Sequence, residues 1–149
     1  MVYSLNEKEI LILSELRRNS RQSLAEISRK INIPLSTIFD NLRRLEEKLI
    51  TKHTSLIDFP KLGFNIKVVL LLKTSKKDEL KKFLVNHKST NMIHKTNNYD
   101  YFVEAIFKDM GEFHSFLEDL ENFNIEKKEH YYVEEEVKRE EFSQININS

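Results

Sequence analysis

The sequence predicts an α+β fold in two parts, a helix-turn-helix domain at the N-terminus and a ferredoxin-like βαββαβ domain after it. Three features predict it. Two capping pairs, Asn6 with Glu9 and Ser23 with Glu26, each precede helically spaced apolar residues. A joint, Phe59-Pro60-Lys61-Leu62-Gly63, interrupts the chain. Beyond it, the patterns run strand, helix, strand, strand, helix, strand.

The first helix follows from Asn6 and Glu9, with Ile10, Leu13 and Leu16 inward, Leu11 beside them, and an end near Arg18. Asn19 and Ser20 break that pattern. Ser23 and Glu26 then open a short second helix whose inward stripe is Leu24, Ile27 and Ile31. At Asn32 the chain needs a tight reversal, and Asn tolerates the left-handed conformation better than most residues with a Cβ; Pro34 stops the second helix from continuing. The third helix has Ile38, Leu42, Leu45 and Leu49 at i, i+4, i+7 and i+11, while Ser36, Thr37, Asp40, Asn41, Arg43 and Arg44 project elsewhere. Two short helices joined by a tight turn, the second with a polar face, describe a unit that sets its second helix in the DNA major groove. Ser, Thr and Asn near the helix start and Arg further on suit base edges and phosphates, whereas the solvated face of an ordinary three-helix bundle is usually rich in Glu and Lys.

A strand-like segment is expected over residues 49–58, leading into the joint. Phe64 to Thr74, with Val68, Val69, Leu70, Leu71 and Leu72, is the strongest strand pattern in the chain. Lys77 to His87 places Leu80, Phe83, Leu84 and His87 at helical spacing. A weak strand near Asn91 to Thr96, a turn at Asn97-Asn98 and a strand Tyr99 to Phe107 make a hairpin, because Asn accepts positive φ. Met110 to Phe123 carries Phe113, Phe116, Leu117 and Leu120 on one helical face, and Ile125 to Val137 closes the series as a last strand with an acidic end. The domains are expected at 1–52, 53–63 as hinge strand and linker, and 64–149. Both helices belong on one face of the sheet; pairing with a second copy would cover the other face, so a homodimer is expected.

The 149 residues hold 24 Lys and Arg against 24 Asp and Glu, and no cysteine. Disulfide frameworks, thiolate metal sites and thiol nucleophiles are thereby excluded. Gly63 and Gly111 are the only glycines, so no glycine-rich phosphate loop can be built, and the five histidines show no metal-ligand spacing; neither a cofactor nor a metal is expected. No apolar run approaches the roughly 20 residues of a membrane span and no basic-then-apolar leader is seen, so no membrane partner and a cytoplasmic location are expected. The zero net charge hides an asymmetry. Residues 1–62 carry 11 basic against 8 acidic side chains, and residues 63–149 carry 13 against 16. Between Arg17 and His53 the count is nine basic to four acidic, the electrostatic footprint of a nucleic-acid partner.

LNEKEILILSEL, SLAEISRKINIPLSTIFDNLRRLEEK, IDFPKLGF and TNNYDYFVEAIFKD, in this order along nearly the whole chain, resemble the Lrp/AsnC family of feast/famine regulators. The resemblance implies a winged or simple helix-turn-helix, a ferredoxin-like effector and assembly domain at 64–149, and dimers that associate into tetramers or octamers on double-stranded DNA. It places the DNA contacts at Ser36, Thr37, Asp40, Asn41, Arg43, Arg44 and Lys48. Asp40 and Asn41 stand where many members are basic, Pro34-Leu35 replaces the usual Ser-Pro, and Glu47-Lys48-Leu49 lacks the usual Gly. Asn is suited to adenine and Asp to cytosine N4. The resemblance also implies a small-molecule effector site, for an amino acid in many members, around the loop between the second and third strands and the last strand. Here that means Asn97, Asn98, Asp100 and His130, where effector-binding members show a Gly and a Thr in place of Asn97 and His130. Two other activities share this plan: a tetrapyrrole-modifying enzyme, and a metabolite sensor that has lost DNA binding.

Overall fold

A computed structural model describes residues 2–145 and divides them into two compact units, one running to Leu56 and resuming at Lys138, the other spanning Ile57–Val137.

In the first unit the capping pairs do what their spacing requires. Asn6 accepts the Glu9 N–H at 2.8 Å and its own N–H donates to the Glu9 carboxylate at 3.0 Å, starting α1 (Glu7–Arg18). Ser23 and Glu26 repeat the exchange at the head of α2 (Leu24–Ile31). The reversal falls on Asn32, at φ 53° and ψ 47°, and the Ser28 hydroxyl donates to the Ile33 carbonyl at 2.6 Å, closing the turn. Helix α3 (Leu35–Lys48) then begins at Pro34 without any side-chain cap. Ile12, Ile27, Ile33, Ile38 and Leu45 form the buried core of the three helices, with Leu16, Leu24 and Ile50 packed against it. Each such aliphatic side chain contributes roughly 1.5–3 kcal/mol by leaving water.

The strand expected over residues 49–58 does not form. Residues 51–58 are exposed and pair with no other strand. A lone extended segment has backbone groups that only a neighbouring strand would satisfy better than water does, and this unit supplies none. The joint that follows does form: a short 3-10 turn, Phe59–Leu62, is capped by Asp58 and closed by Gly63 at φ 85°, a conformation that suits glycine.

The second unit is a four-stranded antiparallel sheet, ordered β2-β3-β1-β4, built from β1 (Ile66–Thr74), β2 (Thr90–Lys95), β3 (Tyr101–Phe107) and β4 (Ile125–Tyr132). Helix α4 (Lys77–Asn86) connects β1 to β2, and α5 (Met110–Leu120) connects β3 to β4, giving the βαββαβ order. Val68, Leu70 and Leu72 of β1 and Tyr101, Val103, Ala105 and Phe107 of β3 form one core with Leu80 and Leu84 of α4 and Phe113, Phe116 and Leu120 of α5. Alternation therefore turns Val69, Leu71, Phe102 and Glu104 to the opposite face.

His87 sits at the end of α4 with its ring 4.9 Å from Phe116 and 5.3 Å from Phe83, and its Nδ1 accepts the Ser89 N–H at 3.1 Å. Burial against these rings lowers its pKa below the ordinary 6.5. The unfolded chain then takes up the proton first, so the stability this neutral ring contributes is present above about pH 6.5 and is lost as pH falls through the lower folded value. Urea unfolding is expected to show stability declining from pH 7 to pH 5, with the decline flattened in His87→Leu.

Candidate nucleic-acid interface

Helix α3 presents two unlike sides. Ile38 and Leu45 are fully buried, and Asn41, three residues after one and four before the other, shares their arc and is only 5% exposed. Its Nδ2 donates to the Thr37 carbonyl at 2.7 Å and its Oδ1 accepts from Arg44 Nη2 at 2.6 Å. That Arg44 nitrogen also lies 3.6 Å from Oε1 of Glu9, a carboxylate 2% exposed that accepts the Tyr3 hydroxyl at 3.0 Å as well as the Asn6 N–H. The chain Tyr3–Glu9–Arg44–Asn41 thus ties α3 to the start of α1.

The side chains of Ser36, Asp40 and Arg43 lie on the exposed side of α3, and Thr37 is half-buried at its margin. Arg43 Nε is 3.4 Å from Glu47, with both partners exposed, a pair worth about 0–1 kcal/mol in water. Lys48, exposed and without an ion pair among the described residues, stands at the last turn, about 18 Å along the axis from Ser36 at 1.5 Å per residue. The outward face also carries Phe39 and Leu35, 56% and 50% exposed, which the search for polar base-reading types passed over. Helical arithmetic finds both: i−4 and i+4 from Phe39 are Leu35 and Arg43, so the three share one edge. The same arithmetic places Asn41 inward.

In the second unit the predicted effector residues divide. Asn97 and Asn98 are exposed in the β2–β3 turn, Asn98 at φ 66°. The Asp100 carboxylate is engaged internally: Oδ2 accepts the Thr74 N–H at 2.8 Å and Oδ1 pairs with Lys77 at 3.2 Å. The Thr74 N–H, aided by Lys77, holds its pKa below the ordinary 3.8. His130, opposite Leu70, turns toward the helix-covered face, its ring 5.3 Å from Phe113 and 5.8 Å from Tyr132. The β4 residues that do reach the turn have the other parity. Tyr99 donates to Glu129 Oε1 at 2.6 Å, Tyr131 donates to Oε2 at 2.8 Å, and Lys127 Nζ lies 4.7 Å over the Tyr99 ring. The two phenols hold the Glu129 pKa below the usual carboxylate value. The Thr96 hydroxyl beside them is the one buried side-chain oxygen without a partner among the described residues.

Three helices whose third shows a polar, partly basic face define a DNA-binding helix-turn-helix unit, and residues 5–48 match the model for winged helix-turn-helix DNA-binding domains. The HTH-type transcriptional regulator Ptr1 of Methanocaldococcus jannaschii is 32% identical over 117 residues, covering 76% of this chain and 79% of that protein. Among solved structures, a Neisseria meningitidis transcriptional regulator in complex with L-Met superposes at a TM-score of 0.84, with 19% identity, 91% of this chain and 94% of that one covered. LrpC of B. subtilis superposes at 0.83, with 17% identity and coverages of 91% and 99%. The chain belongs to the Lrp/AsnC family of helix-turn-helix transcriptional regulators, and is a DNA-binding regulator rather than an enzyme. No helix among the described residues is long and apolar enough to cross a membrane.

Asn41→Ala is expected to lower stability by about 1–2 kcal/mol, because the Thr37 and Arg44 contacts lose their partner. Asp40→Ala, on the outward face, should stay within about 0.5 kcal/mol of the parent. Urea unfolding of both variants checks the assignment of faces; equal effects would refute it. Asp100→Asn is expected to cost about 1–2 kcal/mol at pH 7, since a charged acceptor is lost from the Thr74 N–H. With the folded pKa depressed, that contribution is present above pH 3.8 and lost as pH falls through the folded value, so parent and variant should converge in acid.

Proposed function

We propose that this regulator acts in the cytoplasm as a homodimer, with further assembly into tetramers or octamers, and sets two copies of α3 into successive major grooves of double-stranded DNA. Within each copy Ser36, Thr37, Asp40 and Arg43 meet base edges, and Arg44 and Lys48 meet phosphates. Asn41 serves this interface from inside, by bracing Arg44. The observation that carries the reading is the polar outward face of α3 on a unit with nine basic against four acidic residues between Arg17 and His53. Dimerisation is supported by the apolar side chains Val69, Leu71, Phe102 and Tyr131 on the sheet face away from α4 and α5, Tyr131 being exposed. Such a face on a small unit is commonly covered by a second copy. The expected limits, 1–52 for DNA binding, 53–63 as linker and 64–149 for assembly and effector binding, are proposed for this division of labour with one change: from Lys138 the chain packs with the first unit.

A small molecule is proposed as modulator, at the turn bearing Asn97 and Asn98. The unpartnered Thr96 hydroxyl beside it and the L-Met complex of the Neisseria relative support an amino acid as its class. Asp100 supports the turn's shape, and His130 would contribute only through rearrangement or a second copy. Such a ligand shifts DNA binding only insofar as it binds one assembly state more tightly than another.

Selection of duplexes from a random pool by the full chain, followed by fluorescence anisotropy from 50 to 200 mM salt, tests the DNA reading. Affinity is expected to fall steeply with salt, and Lys48→Ala to reduce the log–log slope by about one per protomer while weakening all sequences alike. A salt-independent interaction, or an unchanged slope in Lys48→Ala, would refute the assigned phosphate contact. Calorimetric titration of the full chain with the common amino acids tests the effector; the absence of heat for all of them would refute the assigned class.

A further inference from the structure

The outward edge of α3 contains an apolar pair that the core does not need. Ile12, Ile27, Ile33, Ile38 and Leu45 complete the buried core of this unit, and neither Leu35 nor Phe39 belongs to it or packs against it. Both stay about half exposed one helical turn apart, with Ser36 and Arg43 beside them and Asp40 adjoining. A solitary exposed apolar residue is unremarkable. Here two lie together on the helix that meets DNA, flanked by side chains of hydrogen-bonding type.

The one prominent apolar group in the major groove is the C5-methyl of thymine. We propose that Phe39, backed by Leu35, is a specificity-determining residue that reads a thymine methyl in each half-site. The inference rests on the DNA-binding reading above. Asp40, on the adjoining side of the helix, takes no hydrogen bond or ion pair among the described residues, and its charge is repelled by phosphates, which disfavours a setting with the outward side of α3 laid along the backbone. Phe39 shares its edge with Ser36 and Arg43, three residues before it and four after it, so a helix that sets those hydrogen-bonding groups against base edges sets Phe39 there as well. Charge also argues against a protein partner as occupant, since Asp40, Arg43 and Glu47 rim the pair with both signs and leave no extended apolar surface.

Substituting deoxyuridine for thymine tests this, because it removes the methyl alone and keeps the O4 acceptor and the base pairing. On a duplex selected by the full chain, thymine is replaced at one position at a time at fixed salt. One thymine per half-site is expected to be sensitive, its replacement weakening binding by about three- to fivefold, the effect of one buried methyl. Phe39→Ala should lose a similar factor on the parent duplex and become indifferent to uridine at that position, while Phe39→Leu should retain part of the discrimination. If no thymine is sensitive, or if Phe39→Ala keeps the full uridine penalty, the inference is overturned while DNA binding stands. If the parent selects no sequence at all, both readings fail. If Phe39→Ala leaves affinity unchanged but alters the mass measured by light scattering, the pair contacts protein and the inference is likewise overturned.

Discussion

The buried carboxylate of Glu9 fixes the rotational setting of α3, and the make-up of the outward face of that helix depends on this setting. A charge at 2% exposure is costly unless every lone pair has a partner, and Glu9 has the Tyr3 hydroxyl, the Asn6 N–H and the Arg44 guanidinium around it. One carboxylate thus caps α1, anchors the segment before it and holds α3. Rotating α3 by one residue would swing Arg44 about 100° from Glu9 and Asn41 out of its position beside Ile38 and Leu45. Ser36, Phe39 and Arg43 would leave the outward edge together. The polarity of the outward face is therefore set from the other side of the helix, by Tyr3, Glu9 and Asn41 acting through Arg44.

A comparable anchor shapes the second unit. The end of β1 is held at Thr74, whose N–H donates to Asp100 and whose hydroxyl donates to the Phe123 carbonyl before β4 begins. The β2–β3 turn and the start of β4 are drawn to the same end of the central strand, which is why Tyr99 meets Glu129. The strand register decides the rest. With Leu70 opposite both Val103 and His130, Lys128, His130 and Tyr132 share the helix-covered side and Glu129 and Tyr131 face the other, while a register shift at Lys73/Thr74 lets Ile125 return to the core.

Much of this was legible in the residues. Both capping boxes, the reversal at Asn32, the joint closed by Gly63 and the βαββαβ order follow from local rules, because each rests on interactions within a few residues of sequence. What escaped the reading depends on partners that sequence spacing does not name. Asn41 has a side chain suited to adenine, and only its Thr37 and Arg44 contacts reveal an inward role. The family resemblance groups His130 with the Asn97 turn, but strand alternation sends its side chain to the helix-covered face. The segment 49–58 has strand-like composition without a neighbouring strand to pair with. Phe39 is illegible for a different reason: an exposed apolar side chain on a helix looks the same in sequence as a core residue.

The charge distribution gains meaning from the pairings. Of the basic residues from Arg17 to Lys52, Arg18 is paired with Glu15, Lys30 approaches the same carboxylate at 3.9 Å, Arg43 faces Glu47 and Arg44 is tied to Glu9. Arg21, Arg29, Lys48 and Lys52 make no ion pair among the described residues. The exposed Arg43 pair is weak enough in water for phosphate to displace Glu47, whereas Arg44 can leave Glu9 only by stranding a buried carboxylate. Arg44 is accordingly a cation held in place by Glu9, while Lys48 makes no ion pair among the described residues. Asp40 is acidic and Asn41 is buried, so neither adds positive charge to the outward face of α3. For the proposed contact with DNA, this places more weight on the fit between the outward edge and particular bases than on charge alone.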